Sequence, residues 1–239
     1  MSRISLDVPV GQLCVEHPSL TRVFERFGID YCCGGKMQLG TAIFKRKLAP
    51  EAVVEAIEQA LAKAGATPDL SWKDASLAAL VEHLIGTHHA FLRAEMPRVG
   101  KLAAKVARVH GVAHPELVEV ERIFGHFESE MSPHMEKEER ILFPAIVALE
   151  KGQGGFPIGG PIAVMEKEHE DAAIDLARLR ELTDEYRLPG DACNSYRALF
   201  SGLQDIESDT FRHVHKENSV LFPRAIALVE QNEVAPQVR

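Results

Sequence analysis

Along most of the chain apolar residues return at steps of three and four, the period of a helix with one buried face, and no stretch alternates convincingly as a strand would. Four long amphipathic segments follow from this pattern. Segment A runs from about residue 74 to His110 and stops at Gly111; segment B starts near Pro115 and reaches Glu150. Segment C covers roughly 162–187 and segment D about 191–230. Lys151–Pro161, crowded with Gly and Pro, is a loop that no helix crosses, and Leu188-Pro189-Gly190 turns the chain between C and D. Four long helices with short connections predict an all-α fold, an antiparallel four-helix bundle over 76–230, followed by a tail at 231–239.

Residues 1–66 read as a separate small helical domain. Pro18 opens a helix that Gly28 closes behind Phe27, because proline suits a first helical turn and glycine a left-handed cap. Cys32-Cys33-Gly34-Gly35 forms a turn. Pro50 opens a second helix with Val53, Val54, Ile57 and Leu61 on one side, ended by Gly65. Residues 67–75, beginning Thr67-Pro68-Asp69, form the linker to the bundle.

Polar residues interrupt the apolar stripes at repeated places. Segment B contains His134-Met-Glu-Lys-Glu138 followed by Leu142-Phe143-Pro144, and segment D contains His213-Val-His-Lys-Glu217 followed by Leu221-Phe222-Pro223. Both read H-x-x-x-E-x-x-x-L-F-P at one offset, 213 − 134 = 79 and 223 − 144 = 79. His89 in A and His169 in C stand at nearly the same offset, 169 − 89 = 80. The chain therefore reads as two related helical hairpins. Residues i and i+4 share a helix face about 6 Å apart along the axis. In D the stripe is Leu199, Leu203, Ile206, Val220, Leu221 and Leu228; in B it is Phe127, Met131, Leu142 and Ala145. In C it is Met165, Ala172, Leu176 and Leu179. The histidines and glutamates fall within these stripes.

A buried carboxylate without a cation loses several kcal/mol of solvation or protonates. Two inward glutamates among four inward histidines make sense with cations between them. Imidazole and carboxylate suit iron, manganese or zinc, and six donors exceed the needs of one tetrahedral zinc. Two metals bridged by Glu138 and Glu217, each also bound by two histidines, use every donor and leave room for an oxo or hydroxo bridge and an exogenous ligand. Iron is the natural candidate. In segment A, His88 also fits the stripe beside Val81, Leu84 and Leu92, so periodicity does not choose between His88 and His89. His215, on the far side of its helix from His213, is expected in solvent. Glu136, Glu139 and Glu166 read as surface charge, and Glu130 as a carboxylate able to orient a ligand imidazole.

Composition narrows the class. The chain has 239 residues, 46% hydrophobic and 26% charged, enough to bury a sizeable core. A net charge of −8 argues against general nucleic-acid binding. No apolar run is long enough to span a membrane, and the N-terminus lacks the apolar core of a signal peptide, so a cytoplasmic protein is expected. Of the four cysteines, Cys32 and Cys33 are adjacent and unsuited to a mutual disulfide, which favours a reducing compartment. They read as a thiol site for passing iron, for redox exchange or for docking, with a thiolate in an exposed Gly-rich turn. Cys14 and Cys193 read as small core residues.

Asp30-Tyr-Cys-Cys-Gly-Gly35, Ser132-Pro-His-Met-Glu-Lys-Glu-Glu139, Glu166-Lys-Glu-His169 and His213–Pro223 together resemble the hemerythrin-like di-iron proteins associated with repair of iron–sulfur clusters. The resemblance covers nearly the whole chain. It implies a hemerythrin-like bundle and a di-iron centre with His89, His134, His169 and His213 as terminal ligands and Glu138 and Glu217 as bridges; it favours His89 over His88. It implies a link to nitrosative and oxidative stress. The expected function is repair of damaged iron–sulfur proteins by supplying iron, with capture of NO or O2 as buffer or sensor the alternative. Either role is iron donation or gas binding rather than turnover of a substrate. The number of subunits, a homodimer included, is open.

Overall fold

The computed structural model describes residues 4–64, 72–153 and 156–234. Gly65, Thr67-Pro68-Asp69 and residues 235–239 of the tail lie outside the described residues. Among those described, every regular element is helical, and the strand-like pairing is confined to one isolated bridge between Pro9 and Gln38. The fold is all-α, as the apolar period predicts. Two compact units divide it: residues 1–80, 149–153 and 211–239 form the first, residues 81–148 and 154–210 the second.

In the first unit, α1 (Val10–Glu16), α2 (Thr21–Phe27), α3 (Leu39–Lys45) and α4 (Pro50–Ala64) enclose Leu20, Phe24, Tyr31, Leu39 and Ile57, with Phe211 packed against them. Each fully buried side chain of this size contributes roughly 1.5–3 kcal/mol by leaving water. The helix expected between Pro18 and Gly28 exists in two pieces, a 3-10 turn Pro18–Leu20 and then α2, and Gly28 closes it at φ 61°. Sequence periodicity did not reveal α1 and α3, which are two turns long. The first N–H groups of α1 go to the cysteine turn, Val10 N to Met37 O and Gly11 N to Gly35 O, both 2.9 Å. Gly35 must lack a side chain there: a Cβ would lie 2.8 Å from the Tyr31 carbonyl oxygen.

In the second unit, α6 (Ala90–His110), α7 (Glu116–Lys137), α9 (Gly159–Leu182) and the first part of α10 (Asn194–Lys216) run antiparallel. Cross-helix pairs give the directions. Gly100 faces Phe124 and Glu128 while Arg93 reaches Glu139; His126 meets Asp175 while His134 meets Glu168. Lys105 reaches Ser195 while His88 meets Asp209. Arg180 clasps buried Glu207 between α9 and α10. Phe124, Phe127, Leu179, Leu199 and Ile206 fill the interior. Segment C ends earlier than its apolar pattern suggests. Thr183 turns its hydroxyl back to the Leu179 carbonyl, and Asp184, Glu185 and Tyr186 take φ of 48°, 57° and 62°, which no helix continues.

Three helical segments widen to π geometry: Leu84–His89 between α5 (Leu77–His83) and α6, Glu138–Leu142 between α7 and α8 (Phe143–Glu150), and Glu217–Leu221 between α10 and α11 (Phe222–Val234). In the last two, Phe143 N–H and Phe222 N–H bond the carbonyls of Glu138 and Glu217, five residues back. Both run into the proline of the repeated L-F-P. Proline offers no N–H, and its ring would strike the carbonyl four residues earlier, Arg140 or Ser219; one extra residue per turn relieves both conflicts. Thus each conserved-in-register glutamate of the internal repeat begins a π turn.

Candidate metal centre

Within the second unit, three imidazoles and one carboxylate meet in the dry interior of the bundle. His89, His134, Glu138 and His169 are each at most 2% exposed. His89 Nε2 and His134 Nε2 both point at Glu138 Oε2, 3.4 Å away. His169 Nε2 lies 3.1 Å from His134 Nε2, with the two rings tilted edge to face at 4.8 Å. His134, Glu138 and His169 each present a ligand atom within 4.8 Å of the others. The Phe143 ring stacks on His89 and keeps that imidazole in its plane.

The outer nitrogens fix which atoms face inward. His89 Nδ1 donates to Glu139 Oε1 at 2.7 Å, and Arg93 donates to the same oxygen at 2.7 Å. His134 Nδ1 donates to Glu168 Oε2 at 2.8 Å, and Lys137 holds the other oxygen of Glu168. Burial works against ionising these carboxylates, but the bonds from Arg93 and His89, and from Lys137 and His134, outweigh it and lower both below the usual range. Each ionised carboxylate commits Nδ1–H of its histidine and leaves a bare Nε2 lone pair directed inward. Each of these lone pairs faces the negative Glu138 oxygen across 3.4 Å and is repelled by it. A cation between them turns that repulsion into attraction, so the donor set fits a metal ion.

Within the first unit, His213 and Glu217 sit on successive turns, both fully buried, with His213 Nε2 and Glu217 Oε1 2.9 Å apart. They are the repeat's counterparts of His134 and Glu138. His88 faces elsewhere from His89: its Nδ1 lies 3.0 Å from Asp209 and its ring meets His83 edge-on at 5.4 Å. Periodicity left these two histidines equivalent; their partners separate them.

Residues 80–225 match the family model described as the hemerythrin HHE cation binding domain. The chain belongs to the hemerythrin HHE family. Residues 6–61 match a second model, described as a domain of unknown function, DUF542. The chain is 37% identical over 222 residues to the iron-sulfur cluster repair protein YtfE of Dickeya chrysanthemi, covering 92% of this chain and 97% of that one. It is 38% identical over 227 residues to the protein of that name in Pectobacterium atrosepticum, with the same coverage, and 36% identical to that of Escherichia coli O157:H7. That description names cation binding, and imidazole and carboxylate are donors suited to a cation.

Several expectations change. Glu139 is not mere surface charge but the partner of His89, and Glu168, which the sequence did not single out, serves His134. Glu130 is exposed. The signal for Glu168 was its place beside His169; that it is half-buried and reaches His134 is known only from the structure. His215 is buried rather than solvated, 6% exposed, with Nδ1 3.3 Å from the Tyr31 carbonyl oxygen and its ring edge-on to Tyr31. Burial holds its pKa down to about 4, so it is neutral at pH 7.

The cysteines also differ from expectation. Cys32 is 3% exposed, not part of an open turn. Asp30 folds back over the turn, accepting Cys32 N–H at 2.9 Å and Gly34 N–H at 2.8 Å, and its Oδ1 lies 3.2 Å from Cys32 Sγ. Burial first, then Cys33 and Asp30, raise the Cys32 thiol well above its ordinary pKa. Cys33, with Sγ 3.9 Å from that of Cys32, is half-buried. Cys14 is a core residue as expected, whereas Cys193 is exposed and lies 3.2 Å from His110 Nε2.

Proposed function

We propose that the protein holds two iron ions and supplies iron for the repair of iron–sulfur clusters damaged by nitrosative or oxidative stress. His89, His134, His169 and His213 would hold the metal through imidazole nitrogens, and Glu138 and Glu217 through their carboxylates. The observation that carries this reading is the buried Glu138 faced by two imidazole lone pairs, an arrangement that needs a cation. The internal repeat supports the rest, because it supplies a second His-x-x-x-Glu pair buried in the same way at Glu217. When bound, iron would supply a reversible site for small ligands such as NO or O2 and a store of metal for transfer. This chain's residues hold it, orient it and exclude water from it. The similar proteins named for iron-sulfur cluster repair support the choice of client, a damaged iron–sulfur protein.

We place this work in the cytoplasm, where reducing conditions keep cysteines such as Cys33 in the thiol form. No helix among the described residues is long and apolar enough to cross a membrane. Iron-loaded protein, added to a cluster enzyme inactivated by NO or peroxide, restores its activity in this reading. Recovery no greater than that given by buffer with an equal amount of free ferrous iron would remove it.

A further inference from the structure

The first unit contains a cavity of about 620 Å³ between α2, α4 and the end of α10, within the range of small-molecule sites. Its lining is unlike the rest of the chain. Arg22, Arg26, Lys73, Arg212 and Lys216 contribute five cationic side chains, and among the described residues no carboxylate lines it, although the whole chain carries a net charge of −8. A concentration of one charge sign in a cleft with low-dielectric walls focuses the field and draws in ions of the opposite sign. Arginine adds planar donors matched to phosphate and carboxylate oxygens.

Beside the polar Ser19, Thr21 and Gln59, much of the remaining wall is apolar or aromatic: Val15, Pro18, Val23, Ala56, Val220 and the half-buried Trp72. A bare inorganic anion would leave these surfaces unused. We propose that this cavity is a binding site for a small organic anion, a phosphate or carboxylate ester or acid carrying an apolar body that packs on Trp72. His215 forms part of the wall and is fixed through Nδ1 to the Tyr31 carbonyl, so it gives a rigid backing. The site lies outside the metal ligands proposed above, and binding to it does not require that proposal to hold.

Trp72 is the only tryptophan in the chain, so its emission reports occupancy directly. The full-length protein is titrated with phenyl phosphate, inorganic phosphate and phenol in turn, exciting at the red edge of the indole band. The expected result is a saturable change with phenyl phosphate, weaker binding of inorganic phosphate and none of phenol. Binding weakens as salt is raised. The double variant Arg22→Glu/Arg26→Glu alters two exposed positions of α2 and should bind phenyl phosphate at least about tenfold more weakly, two charge-assisted contacts being lost. Its circular dichroism and metal content stay as in the parent. No saturable response, equal affinity in the double variant, or phenol binding as well as phenyl phosphate would each overturn the proposal. So would saturation of Trp72 by an acidic peptide but not by phenyl phosphate.

Discussion

The two copies of H-x-x-x-E-x-x-x-L-F-P are alike on the inside and different on the outside. Both place a buried histidine and glutamate on successive turns, begin a π turn at the glutamate, bury the phenylalanine and expose the proline. Their outer faces part company. The first copy turns Glu136, Arg140 and Ile141 to solvent, with Ile141 51% exposed. At the matching positions the second copy has His215, Ser219 and Val220, and all three are drawn into the first unit. His215 meets Tyr31, Ser219 approaches the Cα region of Gly11, and Val220 is 6% exposed. The inner faces of the two copies are thus alike, while the outer face of the second packs within the unit that carries the cysteine turn.

That contrast can be broken from the inside first. Glu138→Leu should cut bound iron to about one ion per chain or fewer, since a leucine neither bridges nor offsets the imidazole dipoles; Glu217→Leu should do the same from the other copy. Metal analysis of protein purified without chelators measures this. If only one of the two variants loses iron, the copies are not equivalent ligand sources.

The outer faces give the next largest effect. His215→Glu makes the second copy resemble the first, and buries a carboxylate where a neutral imidazole sat; it should cost about 3 kcal/mol or more in chemical unfolding. Glu136→His, the reverse exchange in the first copy, should stay within about 0.5 kcal/mol because the position is exposed. Equal costs would contradict the division of faces.

Finer still are the supports of the imidazoles. Glu139→Gln and Glu168→Gln should each weaken metal retention by about 10- to 100-fold against a competing chelator, with folding intact. Lys137→Met and Arg93→Met should follow in the same direction, with smaller losses. The smallest effect concerns thiols: Cys193 should react with a bulky alkylating reagent within the dead time, Cys33 more slowly, and Cys14 and Cys32 only on unfolding. Mass spectrometry of time points reads the order.

Much of this molecule was legible in its sequence. Period, glycine and proline gave the long helices, and Gly28 the end of α2, because these residues act locally. The repeat gave His134, Glu138, His213 and Glu217 together, since a shared offset of polar residues inside apolar stripes has few other causes. What escaped depends on neighbours distant in sequence. The pattern put His215 on a face away from His213, which is right, but only packing against Tyr31 decides that this face is covered. Glu139 looked like one of many surface acids until His89, 50 residues earlier, was found against it. Gly-Gly beside Cys32-Cys33 suggested openness; Asp30 closes the turn instead. Each L-F-P follows a π turn, yet its proline alone does not dictate one, because Pro97 and Pro133 stand inside α6 and α7 without it.

Mössbauer spectroscopy with iron quantification on native protein bears most directly on the paired-glutamate cage. The account predicts two irons per chain, in a spin-coupled pair, with spectra that collapse when either bridging glutamate is replaced. A single uncoupled iron, zinc in its place, or no bound metal in carefully prepared material would contradict it.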